Sequence, residues 1–299
     1  MLSPLWSILL AGFGLFLCQG SLHALQKPTP EEIERYRRDG TLEQRVKAAL
    51  SLGNHKVTND LTRRAAYKLR SAQQVRILAP PPAWQSGMPT TGVVKFFVLL
   101  ISFSDYPGSG ATASIHSKIF GEGSGDYPYE SLKNYYSRSS YGLLTFQGNT
   151  LGWYNTGQPR STVPETDSGR ENLIKQAINY FDGQGHDFSQ YDSNGDGKID
   201  YFTVIWTGPR GAWSSFWWAY ETAFTDLSYT IDGKRFGAYS WQDEFQPPYT
   251  VFSPRTLIHE TGHALGLPDY YDYDDAIGPK GGVGGMDMMD GNYGDHNCF

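Results

Sequence analysis

Cysteine is almost absent from this chain, with Cys18 and Cys298 the only two in 299 residues. If the segment holding Cys18 is removed on export, Cys298 stands alone. No internal disulfide framework is then available, and stability must come from a packed core and bound ions. Long apolar runs are also scarce. The run at residues 5–18 falls short of the ~20 residues that cross a bilayer. Basic charge is in deficit, 25 Lys and Arg against 31 Asp and Glu for a net charge of −6, and no basic patch interleaved with aromatics occurs in the main part. Nucleic acid is therefore excluded as a partner. Internal repeats and low-complexity tracts are missing as well, which excludes solenoid architectures. The chain does contain 39% hydrophobic and 15% aromatic residues, enough for one sizeable catalytic domain and a smaller leader.

The apolar run at residues 5–18 suits the core of a signal peptide, with Gly20 as the small residue at the cleavage position and Ser21 first in the processed chain. No Lys or Arg precedes the run, so an uncleaved signal anchor is the alternative. Leu17, directly before Cys18, argues against a lipoprotein acceptor. Residues 27–77 are charged and glycine-poor, with helical apolar spacing at 31–38 and 42–50, and residues 79–89 read as a Pro-rich linker. The expected division is a signal peptide at 1–20, a helical leader with linker at 21–88, and a catalytic domain at 89–299. A solvated helical spacer is the alternative for the leader.

The densest chemical signal is HETGHALGLPD at residues 259–269. On a helix, His259 and His263 lie four apart on one face and can aim at one tetrahedral zinc ion. Glu260 sits beside them, placed to take a proton from water and hand it to a leaving amine. From average residue usage the HExxH pattern alone occurs in about one chain in a hundred of this length, so the added Gly266 and Asp269 sharpen the assignment. Ser253 is the expected N-cap and Pro254 the first helical residue, with Leu257, Ile258, Thr261 and Leu265 as the inward stripe. Gly266 ends the helix and Pro268 bars its continuation. A later Glu ligand is ruled out, because no Glu follows Glu260, and the only other downstream His is His296. Asp269 is thus the best third ligand, with Asp272, Asp274 and Asp275 less suited and a turn-capping role for Asp269 the alternative.

A second pattern, DSNGDGKID at residues 192–200, spaces oxygen ligands as a calcium loop does. Asp192, Asn194, Asp196 and Asp200 supply side chains, and Lys198 supplies its carbonyl. Thr203 stands where an EF-hand places a bidentate Glu, and YFTVIW at residues 201–206 reads as a strand, so an isolated loop feeding a sheet is expected. A solvated acidic turn is the alternative.

HETGHALGLPDYYD followed by GGVGGMDMMDG at residues 281–291 resembles the immune inhibitor A-type metallopeptidases of the metzincin clan. The likeness continues upstream through VVKFFVLLISF at 93–103, a strand buried on both faces if central, and SLKNYYSRSSYG at 131–142, a helix leading into a strand. The resemblance implies an α/β (α+β) fold, a twisted mixed sheet above the active-site helix and a Met-turn below it, with Met289 as its methionine. It implies a secreted zinc endopeptidase made as a zymogen, whose leader masks the cleft. Metzincins continue into a further helix, so the catalytic domain is expected to be C-terminally truncated. Catalytic Zn2+ and structural Ca2+ are the expected cofactors, and protein or peptide substrates the expected partners. Nucleic acid is not expected, nor a membrane after signal cleavage, and the chain should be a monomer. An inactive, calcium-stabilised extracellular binding module is the alternative. Three further readings complete the sequence: a capping box of Ser168 and Glu171, an aromatic group of Trp213, Phe216, Trp217, Trp218 and Tyr220 that is core before it is groove, and Tyr293 as a candidate oxyanion donor.

Overall fold

The computed structural model describes residues 28–56, 88–109, 111–123, 130–245, 251–273 and 282–296. Residues 1–20, expected as a signal peptide, the expected linker as far as residue 87, Asp274, Asp275, Gly281 and Cys298 lie outside the described residues.

The apolar run at 93–103 becomes β1 (Gly92–Ser102), flanked on both sides in a five-stranded mixed sheet. The other strands are β2 (Leu144–Asn155), β3 (Lys198–Trp206), β4 (Tyr220–Ala223) and β5 (Arg235–Asp243), in the order β2-β1-β3-β5-β4. All neighbours are parallel except β4, which runs antiparallel to β5 at the edge. Parallel strands need cover on both faces. Accordingly, alternate β1 side chains enter different cores, with Phe97, Leu99 and Ile101 in one and Val94, Phe96, Val98 and Leu100 in the other.

The first core is closed by α1 (Pro30–Arg38), α2 (Leu42–Leu52) and α5 (Asp167–Asp182), which contribute Ile33, Tyr36, Ala49, Leu173, Ile174 and Ile178 among others. The second is closed by α3 (Thr112–Phe120), α4 (Leu132–Ser139), α6 (Arg255–Ala264) and the short α7 (Met288–Gly291). No helix among the described residues is long and apolar enough to cross a membrane.

The leader helices expected at 31–38 and 42–50 are α1 and α2. Thr29 and Glu32 form a reciprocal capping box with both bonds at 3.1 Å, worth about 1 kcal/mol. The leader packs as part of the body. Tyr36 is 1% exposed, and Arg45 lies over its ring and donates to the Trp213 carbonyl at 3.2 Å. The aromatic group at 213–220 is core: Trp213, Trp217, Trp218 and Tyr220 are buried and Phe216 packs against them.

The capping box expected from Ser168 and Glu171 does not form. Helix α5 starts earlier, and Thr166 caps it by accepting from the Gly169 amide at 3.0 Å. Glu171 is released for a longer reach, and its carboxylate accepts from the Thr225 amide and hydroxyl and from the Asp226 amide, just past β4. Its neighbour Arg170, 3% exposed, donates to the hydroxyls of Tyr239 and Tyr220, at 2.6 and 2.5 Å. Two adjacent residues of α5 thus tie down the edge strand near both its ends.

Replacing Glu171 with Ala removes three acceptor contacts and leaves partly buried amides unpaired. A loss of roughly 2–4 kcal/mol in urea unfolding is expected. A change within about 0.5 kcal/mol is what an ordinary surface position gives and would rule out this anchoring role.

Candidate functional site

Helix α6 is buried throughout from Arg255 to His263, so it is a core helix. The expected cap is corrected here. Pro254 occupies the N-cap position with no side-chain bond, and Ser253 lies one residue outside. The C-terminus is a Schellman motif, in which the Leu267 amide bonds the Gly262 carbonyl at 2.9 Å and the Gly266 amide bonds the His263 carbonyl at 2.7 Å. Gly266 takes φ +99°, a conformation that favours glycine. The turn folds the chain back and brings Asp269 to the two histidines.

Nε2 of His259 lies 3.0 Å from Nε2 of His263 and 2.9 Å from Oδ1 of Asp269, and the third separation is 3.3 Å. Three atoms held at ~2.0–2.1 Å from one zinc at tetrahedral angles stand roughly 3.3 Å apart, so the cluster is close to the size the ion requires. The outer nitrogens fit as well. His259 Nδ1 faces the Met288 carbonyl and His263 Nδ1 faces the Leu267 carbonyl, each at 2.8 Å. A carbonyl only accepts, so each Nδ1 carries a proton, and Nε2, the atom that would hold a metal, is the one turned inward. Asp269 is held by its other oxygen, which accepts from the Tyr273 hydroxyl. Its amide donates to the Asn54 carbonyl of the leader at 2.8 Å, and the ring of His55 meets that of Tyr273 edge-on at 5.9 Å. Asp272 is not among the grouped ligand atoms.

The electrostatics follow from burial. Burial raises the Asp269 carboxyl, but the His263 charge and the bonds from both histidines hold it well below the usual carboxylate range. Burial lowers His259. Glu260 is 0% exposed, and neither of its carboxylate oxygens has a hydrogen-bond partner of normal geometry among the described residues. Burial pushes its carboxyl well above the ordinary value, while the His263 charge and the Glu221 amide, which faces it from β4, pull the other way. A buried carboxylate with unfilled acceptor capacity beside a cation cluster is suited to hold a water proton.

Beneath the helix runs α7, the segment expected to form a Met-turn. Met289 is fully buried, and a Cβ built on Gly262 would lie 2.6 Å from its sulfur. Only glycine allows this approach. The amide of Tyr270 bonds the Met289 carbonyl at 2.8 Å, which joins this segment to the Asp269 loop. Tyr293 is 51% exposed.

At the start of β3, Asp192, Asp196 and Asp200 each offer an oxygen within 4.8 Å of the others. Asn194 Oδ1 accepts from the Asp196 amide, and the Lys198 amide bonds Asp196 Oδ1. Burial, with the charges of Asp196 and Asp192, raises Asp200 to about 7 against the Ser193 bonds. Lys234 was not anticipated, and its ammonium bonds Asp192 at 2.7 Å.

Sequence reasoning found His259, Glu260, His263 and Asp269, which the fold brings together. It missed Tyr273, Asn54, Glu221 and the carbonyls of Met288 and Leu267. Tyr273 lies four residues past Asp269, while main-chain acceptors leave no trace in a residue pattern.

No protein-family model matches the chain. Immune inhibitor A of Bacillus thuringiensis subsp. alesti is 26% identical over 235 residues, covering 60% of this chain and 34% of the relative. The chain therefore spans about a third of that protein's length. Among solved structures, metalloproteinase-II from Bacteroides fragilis is similar at a TM-score of 0.32 and 14% identity, over 69% of this chain and 50% of that one.

Changing Gly262 to Ala should cost about 1–3 kcal/mol by overpacking against Met289. Combining it with Met289→Ala should cost at least about 1 kcal/mol less than the sum of the single changes, because the truncated side chain makes room. Additive costs in a denaturation cycle would sink this packing account.

Proposed function

We propose that the chain is a secreted zinc endopeptidase of immune inhibitor A type, with His259, His263 and Asp269 as zinc ligands and Glu260 as general base. The observation that carries this reading is the inward convergence of two Nε2 atoms and one carboxylate oxygen, with both Nδ1 atoms already used on carbonyls. The partial likeness to immune inhibitor A supports the same class. Bound zinc supplies Lewis acidity that acidifies water and polarises a peptide carbonyl.

The remaining work falls to the chain's own groups. Glu260 takes the proton of the attacking water and passes it to the leaving nitrogen. Tyr273 holds Asp269 so that one oxygen faces the histidines. Met288 and Leu267 fix the imidazole planes through their carbonyls. Strand β4 has no partner on its outer side among the described residues. It lies over α6, so an extended substrate can add to it as a further strand and be held across the site. Met289 fills the space below Gly262, and the exposed Tyr293 is the candidate oxyanion donor.

In this reading residues 1–20 direct secretion and residues 21–88 are a pro-segment. The contact of Asn54 and His55 with Asp269 and Tyr273 supports latency, since a segment lying on the third ligand obstructs the site. The loop of Asp192, Asn194, Asp196, Lys198 and Asp200 holds calcium, and three grouped carboxylates with one ammonium support a net need for a cation there. The protein acts as a monomer.

Glu260→Gln should lower casein hydrolysis by about 10²–10⁴-fold while leaving one zinc bound, and 1,10-phenanthroline should abolish the wild-type rate. Processing within residues 57–87 should raise that rate. Unchanged hydrolysis in the variant would refute the assigned base. For the calcium loop, saturating Ca2+ at about a hundred times Kd should add ~2.7 kcal/mol of stability over EDTA, and Asp196→Asn should remove the gain. Equal melting temperatures with and without Ca2+ would make the loop an acidic turn neutralised by Lys234.

A further inference from the structure

Strand β4 carries a single charged residue, Glu221, paired in register with Ser240 of β5. Side chains alternate along a strand, and that of Tyr220 points to the far face, where its hydroxyl meets Arg170. Glu221 therefore faces α6, and its carboxylate lies in the fields of His263 and Glu260. It is not one of the three grouped ligand atoms, so it is not needed to complete the metal set. Among the described residues its carboxylate has neither a hydrogen bond nor an ion pair, while its amide faces Glu260. Its near neighbour Glu260 offers only acceptor oxygens. The Glu221 side chain is half-buried, and a partly shielded carboxylate without donors or a fixed cation is stabilised by a mobile cationic group placed beside it.

The substrate is the group that passes this point. A chain added along the outer side of β4 runs past Glu221 on its way over Glu260. On the peptidase reading above, we infer that Glu221 selects substrates carrying a positive charge next to the scissile bond. Two peptide groups supply it, the side chain of Lys or Arg and a free terminal ammonium. Glu221 is a specificity residue, with no part in the proton transfers. The net charge of −6 favours the approach of such substrates over longer distances.

The test measures binding in the zinc-loaded full chain carrying Glu260→Gln, before and after processing within residues 57–87, by fluorescence anisotropy with C-terminally labelled peptides. One peptide has Lys at its centre, a second has norleucine there, a third has Glu, and each is made with a free and an acetylated amino terminus. The Lys peptide should bind about 10- to 100-fold more tightly than the norleucine peptide. Adding Glu221→Gln should erase the difference, and Glu221→Lys should shift preference to the Glu peptide. A preference that follows the free amino terminus instead identifies the terminal ammonium as the selected cation. Equal affinities, no binding of any peptide, or a preference that survives Glu221→Gln would overturn the inference. Casein hydrolysis by the wild-type chain is read alongside. Charge-selective binding without hydrolysis removes the peptidase reading and keeps the cation site, whereas hydrolysis without charge selection does the reverse.

Discussion

The position of α6 against the segment that returns beneath it governs the rest of the structure. Gly262 has no side chain, so the sulfur of Met289 can press on the helix backbone, and the next carbonyl back, that of Met288, takes the proton of His259. One contact thus sets both the depth of the helix and the orientation of an imidazole. The Met289 carbonyl then binds the Tyr270 amide, so the segment that supports the helix also positions the residue following Asp269. The sheet holds the opposite side, where the helix lies against β5 and β4 and Leu257 and Ile258 share a core with β1 and β3 residues, while from α4 the Tyr136 hydroxyl bonds the Ile258 carbonyl at 2.6 Å.

Around this helix lie several carboxylates that are buried or, for Glu221, half-buried, each with a different degree of compensation. Asp269 is satisfied by two histidines and Tyr273. Glu171 is satisfied by amides and a hydroxyl, and serves architecture. Glu260 and Glu221 lack such partners, and both lie at the site. A buried carboxylate whose acceptor capacity is left unfilled is a candidate for a partner from outside.

Much of this was legible in the sequence because the period of a helix and of a strand is a local property. The spacing of His259 and His263, the stop at Gly266 and the buried run at 93–103 all depend on near neighbours. Asp269 emerged by elimination among the residues present. What could not be read involved either choice among equivalent caps or pairing across the fold. Ser168 and Thr166 are both competent caps, and the longer reach of Glu171 to Thr225 decided between them. Lys234 finds Asp192 only because β5 lies beside β3. Glu221 gained its meaning from an edge strand of four residues, too short for its alternation to be recognised in advance.

The bond from the Asp269 amide to the Asn54 carbonyl joins two main-chain atoms. Which side chain stands at position 54 therefore matters little to it, whereas the path of the backbone matters a great deal. Sequence drift in the leader can proceed there without loosening its grip on the site. A single inserted or deleted residue would move the carbonyl out of reach, so the number of residues in that stretch, more than their identity, sets the contact.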